Sequence, residues 1–250
     1  VNWIAHHEHI YQRRQAVESY ATPAVRRLAL SIADGRLIPH ARLAELAERL
    51  QRSLEVTAVF GFTEARREIK AMREQNGEPP LRATLAFAVP DAGHQGIAAR
   101  LGIDGIRKLI GRRAKYSGEL IGAATLGAAE AARMAGAEDI VVAEAALTAA
   151  ARGLHLHVLE LVGETLNLGR TAGALSFGNP PEYAMRSEML DKQTCDACTR
   201  VHGEIAIVDS ANYYALLPPS YCFGGGRCRG VVVFEDQISN VRMPEIETAA

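Results

Sequence analysis

From Pro39 onward leucines recur at intervals of three and four, Leu43, Leu46, Leu50 and Leu54, with Arg42, Glu45, Glu48, Arg49 and Arg52 between them. One apolar stripe on an otherwise charged cylinder predicts an amphipathic helix that buries a single face. Such a stripe serves an internal core or a helix-pairing seam more often than a groove for a partner. The pattern runs on to Gln75, with Gly61 as a point of possible division. Upstream, Thr22-Pro23 supplies a cap residue and a first-turn proline, and Asp34-Gly35 supplies a stop, so a short helix is predicted over residues 24–33. Downstream, Asn76-Gly-Glu-Pro-Pro80 is strong turn chemistry and a candidate boundary.

Residues 81–89 alternate briefly and predict a short strand, closed by Pro90-Asp-Ala-Gly93. Residues 103–116 read as a basic helix in which Ile106, Leu109 and Ile110 face one way and Arg107, Lys108, Arg112 and Arg113 lie largely on the other. Alanine-rich helices follow over 121–136 and 138–161. Small side chains at Gly122, Ala123, Gly127, Ala128, Ala132 and Gly136 let helices approach closely, while Glu130, Arg133, Glu138, Asp139 and Glu144 argue for a soluble bundle rather than a membrane pair. Residues 187–191 read as a helix end or a short strand. Two β-branched runs, 204–208 and 230–234, predict a small sheet. The fold class is therefore mainly α with a small Cys-rich C-terminal β module. The expected segments are an N-terminal helical region (1–78), a central helical core (79–167), the Cys-rich module (168–236) and a tail (237–250).

Charge changes this picture locally. The chain of 250 residues has a net charge of −1, which by itself favours neither nucleic acid nor membrane. Residues 100–115, however, carry six Arg or Lys against one acid, whereas 116–250 carry nine against seventeen. Arg107, Lys108, Arg112, Arg113 and Lys115 are thus the candidate phosphate-contacting cluster. The competing reading is a solvated face paired with the acidic C-terminal half, because no aromatic residues interleave the charges. No apolar run reaches the length of about 18 residues that a membrane helix needs. A soluble protein made in a cytoplasm, without a signal peptide, is expected.

All four cysteines fall in one stretch, Cys195-Asp-Ala-Cys198 and Cys222-Phe-Gly-Gly-Gly-Arg-Cys228. Two residues separate the first pair, 23 the two pairs and five the second pair. Two chelating turns of this kind can converge on one tetrahedral zinc ion. Gly224, Gly225 and Gly226 let the second turn fold back without a Cβ penalty. Two disulfides, or a redox pair at Cys195 and Cys198 with the other two buried, are the alternatives; a reducing cytoplasm favours zinc thiolates. Elsewhere, His155 and His157 stand two apart, a spacing that suits packing or surface roles. His6-His7-Glu8-His9 lacks metalloprotease spacing and reads as a mobile chain end.

Gly169-Arg-Thr171, Arg186-Ser-Glu-Met-Leu-Asp-Lys-Gln-Thr-Cys-Asp-Ala-Cys198, His202-Gly203, Pro218-Pro219 and Gly226-Arg-Cys-Arg-Gly230 together resemble the phage minor head proteins of the Mu F type, the head morphogenesis family. The likeness covers 168–234, about a quarter of the chain. It departs from the family pattern at His202, where aspartate usually precedes the glycine, and at Cys222, near the usual place of a histidine. The resemblance implies a structural minor capsid protein of a tailed phage that associates with the portal and with other head or connector proteins. It also implies a place in the virion head, host cytoplasm during assembly, and possible contact with packaged or ejecting DNA.

Catalytic signatures are missing from the sequence. There is no nucleophile elbow, Walker loop or dinucleotide fingerprint. Four thiolates at Cys195, Cys198, Cys222 and Cys228 would close a structural zinc site and leave it no open position for chemistry. The expectation is a structural protein rather than an enzyme. A zinc-stabilised nucleic-acid-binding protein is the alternative, and a metal-dependent hydrolase using His202 or Glu204 is the next.

Overall fold

The computed structural model describes residues 3–35, 37–75, 97–188, 195–217 and 230–236. The elements run α1 (Trp3–Gly35), α2 (His40–Gln75), α3 (Ile97–Met134), α4 (Asp139–Leu175), β1 (Tyr183–Glu188), α5 (Asp196–Val201), β2 (Ile205–Ile207), α6 (Ala211–Ala215) and β3 (Gly230–Glu235). The molecule is mainly helical with one small sheet, as the patterning predicts. Two compact units divide the chain. One holds Val1–Tyr11, Thr57–Ile106 and Gly163–Ala250, and the other Gln12–Val56 and Arg107–Val162.

The second unit consists of helical segments from α1 to α4. The expected leucine stripe is its core, with Leu46, Leu50 and Leu54 fully buried beside Leu28, Ile32, Ile121 and Val158. Arg133 donates to the Ile32 carbonyl at 3.2 Å and also to that of Ala33, satisfying carbonyls that the C-terminus of α1 leaves open.

Two local expectations are corrected. The helix predicted over 24–33 is the last third of α1, and Pro23 lies inside it. The buried stripe Val17, Ala21, Ala24, Val25 and Leu28 continues straight across the proline, so packing on both sides outweighs an interior penalty of about 3 kcal/mol. Thr22 donates its hydroxyl to the Glu18 carbonyl at 2.7 Å just before it. The run His6-His7-Glu8-His9 is likewise the first part of α1 rather than a loose end. Nor does Gly61 divide α2; it serves a close approach described below. The strand predicted over 81–89 and the boundary at 76–80 lie outside the described residues.

In the first unit, β1 is central to an antiparallel sheet ordered β2-β1-β3. Tyr183, Ala184 and Met185 pair with Ile207, Ala206 and Ile205, and the whole of β1 pairs with β3 in a register that sets Ala184 opposite Phe234 and Arg186 opposite Val232. A sheet this small cannot stand alone. Its inner face, Ala184, Ala206, Val232 and Phe234, shares a core with Ala65, Ile69 and Met72 of α2, Ala174 and Leu175 of α4, and Tyr213 of α6. Hydrophobic burial against helices therefore contributes to its stability, in addition to anything that metal binding supplies.

Candidate functional site

The residues that carry the family resemblance gather where α4 meets α2 and the sheet. Gly169 sits where α4 touches α2: a Cβ there would overlap the carbonyl oxygen of Ala58, and one at Gly61 would overlap that of Leu166. Backbone contact this close excludes every larger residue at both places.

One position on, Arg170 turns inward and is 2% exposed, facing Glu68 at 4%. Its Nη2 donates to Glu68 Oε2, and its Nε donates to the Val232 carbonyl at 2.9 Å. The guanidinium also lies over the Phe234 ring, 5.7 Å from its centroid. Glu68 Oε1 accepts the Phe234 N–H at 3.2 Å, and Asn167 Oδ1 accepts the Val232 N–H at 3.0 Å. These backbone groups belong to the edge of β3 that faces away from β1. A sheet edge buried without partners would leave polar groups unsatisfied. Three side chains from two helices complete it instead. Arg73 of α2 adds a fourth hold, with Nε and Nη2 at 2.6 and 2.8 Å from the two carboxylate oxygens of Asp236.

Thr171 completes the motif. Its hydroxyl meets the Tyr213 hydroxyl and also donates to the Asn167 carbonyl at 2.8 Å. Burial pushes the Tyr213 phenol well above its ordinary range, with Thr171 acting against the shift, so this hydroxyl stays protonated as a structural donor. Ser210 holds Tyr213 in place by accepting its backbone N–H at 3.1 Å.

Cys195 and Cys198 open α5. Cys195 is the N-cap, in extended conformation, and Cys198 is 1% exposed. Three residues apart at the first turn, the pair shares one side of the helix. The Cys195 carbonyl accepts the Thr199 N–H at 3.0 Å, and the Cys198 carbonyl accepts the His202 N–H at 3.2 Å. At Gly203 the φ angle is 81°, a conformation that favours glycine. Its N–H donates to the Arg186 carbonyl at 2.8 Å, while the Arg186 N–H donates to Glu204, so the exit of α5 is tied to β1. His202, in the place of the family aspartate, has its pKa lowered by burial first and by the charge of Arg186 second. A cysteine pair on a fixed helical turn fits one half of a tetrahedral thiolate site. Cys222 and Cys228 lie outside the described residues. Among the described residues no three His, Cys, Asp or Glu side chains gather as metal ligands.

The basic cluster is on α3, but its five members do not share a face. At 100° per residue, Lys108, Arg112 and Lys115 fall within about 60° of arc, whereas Arg107 and Arg113 lie well to either side. Arg113 Nη2 is 3.7 Å from Glu160 of α4. The exposed trio is not purely basic either, because Glu119 falls in the same arc and lines a cleft with Lys115 and Glu48.

Sequence reasoning missed Glu68, Asn167 and Arg73 altogether. Glu68 follows Arg66-Arg67 and reads there as one of several surface charges. No family model, curated protein or solved structure matches the chain.

Proposed function

We propose that the protein is a structural minor head protein of a tailed phage, bound to the portal and to neighbouring head or connector proteins during assembly. One observation supports this reading above the others. Gly169, Arg170, Thr171, Arg186 and Gly203 carry the resemblance, and each has a distinct structural task in joining the C-terminal sheet to the long helices. A motif used to build a stable surface suits a protein that acts by association rather than by reaction. Cys195, Cys198, Cys222 and Cys228 are the proposed ligands of a structural zinc, which would fix the segments outside the sheet. Contact with DNA, if it is part of the role, falls to Lys108, Arg112 and Lys115.

Mixing the purified chain with portal oligomers tests this. A complex of fixed stoichiometry that survives size exclusion is the expected result, and loss of the gene should impair head assembly or infectivity. Free elution beside the portal, together with turnover of a small substrate abolished by Glu204→Ala, would replace the proposal with the hydrolase.

A further inference from the structure

In the second unit, α4 presents Val141, Ala145, Thr148 and Leu156 to an open groove of about 720 Å³, whose other wall is Ala124 and Ala128 of α3. Val141 and Leu156 are 46% and 41% exposed, and Ile140 beside them 66%. The middle of the groove is lined by alanine and threonine, so a helix laid along it could approach closely. Two charges stand on this otherwise apolar lining, Glu144 and Arg152. Neither makes an ion pair within the chain among the described residues.

The positions of these residues are self-complementary. Glu144 and Arg152 each lie four residues from Thr148, on opposite sides; Ile140 and Leu156 each lie eight. We propose that the groove seats a second copy of this chain, with α4 antiparallel to α4 of that copy about a twofold axis at Thr148. In that register Glu144 meets Arg152 of the second copy and Ile140 meets Leu156, and the symmetry repeats each contact. Parallel pairing would instead oppose Glu144 to Glu144 and Arg152 to Arg152, which like-charge repulsion disfavours. The seam from Val141 to Leu156 is only about 22 Å long at 1.5 Å per residue. That is short for a permanent interface, so a dissociation constant of about 1–100 µM is expected. The proposal does not depend on the head-protein reading.

Sedimentation equilibrium of the full chain from about 1 to 300 µM at low salt reads the association directly. Glu144→Arg and Arg152→Glu should each weaken the dimer about tenfold, because each turns both attractive pairs into repulsive ones. The double reversal should restore it to within about threefold. Both positions are exposed, and an unchanged helical circular dichroism spectrum checks folding. An independent readout uses Thr148→Cys, which should cross-link to itself under mild oxidation, with the peptide joining the two substituted positions found by mass spectrometry. Glu144→Cys should not do so, since its two copies would be about 12 Å apart along the helices, beyond disulfide reach. A monomer at every concentration, a dimer indifferent to both reversals, or a Thr148→Cys dimer that does not cross-link to itself would overturn the proposal. Capture of a different protein on this face by a chain that stays monomeric would overturn it as well.

Discussion

Arg170→Met should unfasten β3 more than any surface change nearby. The substitution keeps most of the side-chain volume but removes the donor to Val232 and the counter-charge of Glu68, whose carboxylate is 4% exposed. Breaking one side of a buried ion pair costs about 3–5 kcal/mol, because the remaining charge is left in a medium that solvates it poorly. Glu68→Leu should cost a similar amount, since it strands the guanidinium and the Phe234 N–H together. Independent effects would then sum to about 6–10 kcal/mol in the double variant. The pairing predicts much less. With both charges gone, what remains is an incompletely bonded strand edge, the Val232 carbonyl and the Phe234 N–H, at about 1–3 kcal/mol for each group. The double variant should therefore cost about 2–5 kcal/mol, and the coupling should exceed about 2 kcal/mol. Urea titration of the four proteins gives the cycle. Hydrogen exchange of the strand amides gives a local measure, with each single variant losing roughly two to three and a half powers of ten in protection. Additivity within about 0.5 kcal/mol would refute the account, for it would mean that Glu68 and Arg170 stabilise the fold separately.

Three further outcomes are expected. Gly169→Ala should cost about 2–3 kcal/mol, or roughly 5–10 °C in melting temperature, because the Ala58 carbonyl cannot yield. Gly127→Ala, with open space around its Cβ and a helical backbone, should instead stabilise by about 0.5–1 kcal/mol; a reversed order in thermal melts would contradict the packing argument. Metal analysis should find about one zinc per chain, lost in Cys198→Ser, whereas a well-folded metal-free protein with two disulfides would rule out the thiolate site. Burial lowers the pKa of His157, only partly opposed by Glu160, so the unfolded chain takes up a proton there first as pH falls. The stability tied to its neutral form is present above about pH 6.5 and is lost as pH falls through the lower folded pKa. His157→Gln should flatten that part of the urea midpoint profile between about pH 7.5 and 5, and an unchanged profile would count against the assignment.

The helices and strands were legible because each writes its own period. The leucines of α2 predicted its buried face, and the two β-branched runs predicted β2 and β3. What failed was local punctuation. Thr22-Pro23 has the chemistry of a helix start, yet the apolar stripe of α1 passes through it, and tertiary burial prevailed over a cap signal. Gly61 read as a possible break when its reason for being glycine was the backbone of α4. The candidate site was legible in half. Arg170 and Thr171 stood out as a motif, but their partners did not: Glu68 and Tyr213 lie 102 and 42 residues away, and no short-range pattern marks them. The five-residue basic cluster was an artefact of adjacency, since neighbours in sequence lie 100° apart around a helix.

The closed edge of β3 also bears on the order in which the chain can fold during synthesis. Glu68 and Asn167 emerge 166 and 65 residues before the strand whose amides they accept, and Arg170 precedes its carbonyl partner by 62. Until residues 230–236 have left the ribosome, α2 and α4 hold between them a carboxylate, a guanidinium and an amide whose backbone partners do not yet exist. Those groups keep water in the seam and keep the nascent pair of helices loose. This unit should consequently lock only after nearly the whole chain is made, through contacts of long sequence separation that form slowly. A ribosome that stalls short of β3 would release a product whose hydrated, unfinished seam marks it for chaperones and proteases, so the last strand acts as a proof of completion.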